Sequence, residues 1–89
     1  MRAGGSKTEQ RDSLDGASPP GLKMLTERER EVLLLLADGP DNRTLARDLG
    51  IAERTVRAHL ASINHKLGVQ SRLQAGLLAV RHRMELSPE

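Results

Sequence analysis

The sequence predicts an all-α fold of four short helices behind a disordered amino-terminal tail. Two observations predict it. Apolar residues recur at helical spacing in four separate stretches between Leu25 and Val80. Each stretch has a capping residue just before it, a glycine just after it, or both.

Residues 1–21, "MRAGGSKTEQRDSLDGASPPG", are dominated by Gly, Ser, Pro and charges, and Leu14 is the one large aliphatic residue after Met1. Such a segment buries too little apolar area to offset the entropy of ordering it. A disordered tail or linker is expected over 1–21, and a domain over 22–86.

The first helix is written in "LTEREREVLLLLADG". Thr26 and Glu29 form a capping box, in which the hydroxyl accepts from the third backbone amide and the carboxylate reaches back. Glu27, Glu29 and Glu31 suit the positive end of the helix dipole. Val32, Leu33 and Leu36 share one face; Leu34 falls off it and is expected to be exposed. Gly39 and Pro40 stop the helix.

"DNRTLARDLG" is a short second helix, with Asp41 as its cap and Gly50 as its stop. Leu45, Ala46 and Leu49 point inward. This helix is too short to persist without tertiary packing.

"TVRAHLASINHKLG" is the third. With successive residues about 100 degrees apart, Leu60, Ile63 and Leu67 fall within about 40 degrees of Val56. Arg54, Arg57, Ala58, Ala61 and His65 fall on the opposite side. One stripe is buried, and the other face presents bases interleaved with alanines. Gly68 is the stop.

The fourth helix, about Arg72 to His82 with Ser71 as cap, is apolar nearly all round. Leu73, Leu77 and Val80 make one side; Ala75, Leu78 and Ala79 make the other. In so small a domain, two apolar sides imply two surfaces to cover, one on the domain and one on a partner. Gly76 permits close approach at about 1 kcal/mol of helix propensity.

Composition narrows the function. At 89 residues the chain is one small domain, without room for both a sizeable core and a deep catalytic cleft. It has no cysteine, hence no disulfide or thiolate metal site. His59 and His65 lie on different faces, which argues against a metal pair. Glu27, Glu29 and Glu31 are not a catalytic set, since neighbours two apart diverge on a helix. An enzyme finds no support, and no cofactor is expected. With no aromatic residue, stacking platforms for single-stranded nucleic acid are excluded. The longest apolar run, "VLLLLA", is far short of a membrane span, and no signal-peptide core is present, so a cytoplasmic location is expected.

Charge is uneven. Between Met24 and Asp41 two arginines meet five acids; between Asn42 and Arg83 eight Lys or Arg meet two acids. That asymmetry outlines a nucleic-acid-binding surface. Two short helices joined at "LGIA", the second basic on its outer face, are a helix-turn-helix signal. A major groove admits one helix, and the residues facing it must be long and basic or small enough for the backbone to approach. Arg57 beside Ala58 and Ala61 supplies both. The start of the second helix, near Asn42, offers backbone amides to phosphate.

Together "LTEREREVLLLLADG", "NRTLARDLGI", "TVRAHLASINHKLGV" and "SRLQAGLLA" resemble the LuxR-type (GerE-type) helix-turn-helix domain of bacterial transcription regulators, over about Leu25 to Val80 and without a gap. The resemblance implies a four-helix helix-turn-helix domain that binds double-stranded DNA, with its third helix in the major groove and its fourth mediating dimerisation. By position it assigns Arg57, Ala58 and Ala61 to base edges. Asn42, Arg54, Thr55, His59 and Lys66 become backbone or supporting positions, and Leu73, Leu77 and Leu78 the dimer contacts. A homodimer on DNA and RNA polymerase are the protein partners it implies. Glu29 matches the family's first-helix acid, in a structural role.

Three residues depart from the pattern. Ala52 stands where the family usually caps the third helix with serine, which weakens that start by about 1 kcal/mol. Ala61 replaces a basic residue of some relatives, and Leu78 a typically polar one. The chain is either a fragment whose sensor or receiver domain is missing or a stand-alone regulator. Two other readings remain. Region four of a sigma factor shares "LTEREREVL", although "INHKLGV" and the apolar fourth helix fit the LuxR type better. A protein-interaction module that kept the fold would use exposed Leu34 and Leu78.

Overall fold

The computed structural model describes residues 19–87; the expected tail lies outside the described residues over 1–18. The described residues contain no strand. A 3₁₀ turn, Pro20–Met24, is followed by α1 (Glu27–Leu36), α2 (Asn42–Leu49), α3 (Glu53–Leu67), α4 (Arg72–Arg81) and the short α5 (Arg83–Leu86). The four helices read from the sequence are all present, and their ends follow the local chemistry. Thr26 and Glu29 form both halves of the capping box on α1. Asp41 Oδ1 accepts from the Thr44 amide at 2.8 Å, and Ser71 Oγ accepts from the Gln74 amide at 3.1 Å. Ala52 makes no side-chain cap on α3. Gly50 ends α2 at φ 69°, a left-handed conformation that lets the chain reverse tightly into α3.

One core holds the domain. Val32, Leu33 and Leu36 of α1, Leu45 and Ala46 of α2, and Val56 and Ile63 of α3 are buried together with Ala75 and Ala79 of α4. Leu49, Leu60 and Leu67 pack on its edge. α1 and α3 are the hubs: α1 packs on α3, α4 and α5, whereas α2 packs on α3.

Ahead of α1, the 3₁₀ turn packs on α3 and buries Gly21, Leu22 and Leu25. Two expectations change. Leu34 is half-buried rather than exposed, because α5, which carries no long periodic pattern of its own, packs on α1 and brings Leu86 beside it. Gly76 is not forced by crowding: a Cβ there would meet the Leu36 carbonyl at an ordinary 3.5 Å.

Gly21 is forced. A Cβ on it would lie 2.0 Å from the backbone carbonyl oxygen of Lys66, on the last turn of α3. Backbone cannot swing aside as a flexible side chain does. Gly21→Ala is therefore expected to destabilise the domain by about 1–3 kcal/mol, the usual cost of overpacking. A melting curve checks this, and an unchanged melting temperature would refute the contact.

Candidate nucleic-acid interface

α3 has two unlike faces. Val56 and Ile63 are fully buried. On the opposite face Arg54, Arg57, Ala58, Ala61 and His65 are all exposed, as their helical spacing requires. Among the described residues, neither Arg54 nor Arg57 takes part in an ion pair. Their guanidinium groups stand in solvent beside two methyl side chains, which leaves the helix backbone open to close approach. Thr55 and His59, at the margins of this face, are half-buried.

Lys66 is held differently. Its Nζ donates to Glu29 Oε1 at 2.7 Å. The same carboxylate accepts from Ser62 Oγ at 2.5 Å and from the Thr26 amide at 2.9 Å. Glu29 thus caps its own helix and ties α1 to the outer turns of α3. Burial pushes its carboxyl up, but the bonds from Lys66, Ser62 and Thr26 outweigh that and hold its pKa at about 2. The capping box was legible in sequence. The bonds to residues 33 and 37 positions away were not, because no local spacing reports them.

At the start of α2 the Asp41 cap takes the Thr44 amide, and the Asp41 carbonyl takes the Leu45 amide. The amides of Asn42 and Arg43 are left at the helix mouth, as two of the first-turn donors with no helical partner. The Thr44 amide holds the Asp41 carboxyl below its usual range. Asn42 is not free-standing: its Oδ1 accepts from Arg72 Nη1 at 2.6 Å, and Arg72 Nη2 donates to the Pro40 carbonyl at 2.6 Å. Sequence reading passed over Arg72, whose only local signal was its place in the first turn of α4.

α4 resolves its own ambiguity. Ala75 and Ala79 pack inward. Leu73, Leu77 and Val80 are 71%, 61% and 53% exposed, a continuous stripe at helical spacing. Leu78 is half-buried and lines a shallow depression with Val69, Leu77 and Val80. Of the expected dimer residues, Leu73 and Leu77 lie on the open stripe and Leu78 lies at its border. Val80 belongs to the stripe as well.

Among the described residues no group of three or more His, Cys, Asp or Glu is placed to hold a metal ion, and no helix is long and apolar enough to cross a membrane.

Residues 23–79 match the family model described as bacterial regulatory proteins, luxR family. Among curated proteins, the chain is similar to the response regulator protein VraR of Staphylococcus aureus, Staphylococcus saprophyticus and Staphylococcus epidermidis. Each is 45% identical over 62 residues, a segment that covers 70% of this chain and 30% of the relative.

Proposed function

The chain belongs to the LuxR family of bacterial regulatory proteins, and from that premise we propose that it is a double-stranded-DNA-binding domain of a transcription regulator. α3 enters the major groove. Arg57, Ala58 and Ala61 face base edges; Arg54, Thr55, His59 and the mouth of α2 at Asn42 face the phosphate backbone. Lys66 supports from behind, through Glu29. The observation that carries the reading is the outer face of α3, where two unpaired arginines flank small side chains on a helix anchored by fully buried Val56 and Ile63.

An amide chemical-shift titration with a short mixed-sequence duplex at low salt tests it. Shifts are expected on α3 from Arg54 to His65 and at Asn42 and Arg43. The nonspecific dissociation constant is expected at about 10⁻⁴ to 10⁻⁶ M and to weaken as salt rises. No shift on α3 would sink the proposal.

The domain acts as a dimer on DNA through the Leu73, Leu77 and Val80 stripe, with Leu78 at its edge. The exposure of three aliphatic side chains on one helix face favours this. Leu77→Glu places a charge in that stripe without touching the core. It is expected to leave the melting temperature within a few degrees of wild type and to abolish dimeric complexes in sedimentation on two-site DNA. Dimeric complexes that persist would place the interface elsewhere.

A further inference from the structure

The phosphate-facing mouth of α2 and the open stripe of α4 lie on helices that barely pack on one another. α2 packs on α3, and α4 packs on α1, α3 and α5. The Arg72 side chain spans the gap between them. Arg72, in the first turn of α4, reaches back across 30 residues to Asn42 Oδ1 and across 32 to the Pro40 carbonyl, both at 2.6 Å. These two acceptors bracket Asp41, whose carboxylate caps α2 and whose acidity Arg72 also raises. The fork therefore grips the residues on both sides of the cap.

We propose that Arg72 is a positioning residue for DNA binding, whose forked guanidinium holds the α2 mouth in register with α4 so that the Asn42 and Arg43 amides meet a backbone phosphate. The inference rests on the DNA-binding reading above. Its chemistry is specific to arginine. A planar guanidinium satisfies two acceptors in fixed relative orientation, whereas a lysine ammonium is a point charge on a flexible stem. The grip on Asn42 also orients that side chain, directing its amide oxygen inward to Arg72. Because the fork is anchored on α4, the orientation of the helix that carries the apolar stripe is passed to the phosphate contact by one residue.

The test compares wild type, Arg72→Lys, Arg72→Gln and Asn42→Ala in binding a short mixed-sequence duplex over a series of salt concentrations, with Arg28→Gln, on α1, as control. Both Arg72 variants are expected to bind about five- to tenfold more weakly, the effect of losing roughly one well-made charged hydrogen bond. The amide shifts that the duplex induces at Asn42 and Arg43 are expected to vanish in both Arg72 variants while those of α3 persist. The slope of log affinity against log salt is expected to stay near that of wild type in Arg72→Lys, because neutral backbone amides displace no counterion. Asn42→Ala removes one acceptor without removing a charge, and is expected to give part of the same loss at the Arg43 amide. It stands in for the Arg72 variants if those fail to fold. The control is expected to leave the shifts and the slope unchanged.

A merely structural role would lower the melting temperature and leave the duplex-induced shifts of Asn42 and Arg43 intact in the folded protein, and that result overturns the inference. So would wild-type binding and wild-type shifts in Arg72→Lys, since charge alone would then suffice. If wild type itself binds no duplex at low salt, the DNA-binding reading fails, and that outcome is separate from failure of the Arg72 inference.

Discussion

Arg57→Ala is expected to weaken binding to a selected operator by about 1–3 kcal/mol while weakening binding to mixed-sequence DNA far less. Arg57 is exposed on the outer face of α3 and has no ion-pair partner among the described residues, so no intramolecular bond competes with the base edge. Ala58 and Ala61 beside it carry only methyl groups, which lets the helix sit deep enough for a forked contact with guanine O6 and N7. The alanine variant should fold as wild type does, because its side chain is outside the core. Operator selection from a random pool, repeated with the variant, should show relaxed preference at one base pair per half-site. An equal loss on every sequence would reassign Arg57 to phosphate.

Glu29→Gln is expected to lower the stability of the domain by about 2–3 kcal/mol at neutral pH. Glu29 is 5% exposed and its carboxylate meets Lys66, Ser62 and the Thr26 amide within 2.9 Å. Exposed ion pairs contribute little. This one is enclosed, and the carboxylate serves three donors, so the charged form is the one the site was built around. The neutral amide keeps the shape but loses the charge-assisted bonds and leaves Lys66 without its partner.

The pH dependence follows from the sign of the shift. The carboxyl titrates at about 2 in the folded domain against an ordinary 4.5. A carboxyl with a depressed folded pKa contributes its full stabilisation above the unfolded value, and loses it as pH falls through the folded one. The advantage of wild type over Glu29→Gln should therefore be complete above about pH 4.5, shrink below it and be nearly gone by about pH 2. Urea denaturation of both proteins at a series of pH values checks it. A difference that does not change with pH would show that the amide loses packing rather than charge.

Both predictions concern the same helix, from opposite sides. Arg57 works only if α3 presents its outer face at the right depth. The Glu29 carboxylate fixes the outer turns of α3 to α1 through Ser62 and Lys66. Loss of Glu29 should therefore weaken DNA binding even under conditions where the domain stays folded.

Much of the domain was legible in the chain itself. Helix ends are set by chemistry within three or four residues, so Thr26, Asp41, Ser71, Gly50 and Gly68 could be read directly and were found in those roles. The faces of α1 and α3 were legible for a related reason: an amphipathic period states which side seeks the core. The basic and small residues of the α3 outer face followed from the same period.

What the sequence by itself could not decide is wherever both options are apolar or the partner is distant. α4 offers two apolar sides, and periodicity has nothing to choose between them; only packing selected Ala75 and Ala79, whose small side chains let α4 lie close on the core, and left Leu73, Leu77 and Val80 outside. Leu34 falls off the α1 stripe, and α5, which packs beside it, is too short to announce itself by pattern. The grip of Arg72 on Pro40 and Asn42, the bond of Lys66 to Glu29, and the seat of Gly21 against the Lys66 carbonyl all join residues 30 or more positions apart. Local sequence determines which surfaces each helix has. Which surfaces meet is determined by the mutual fit of all the helices at once, and that exists only in the folded domain.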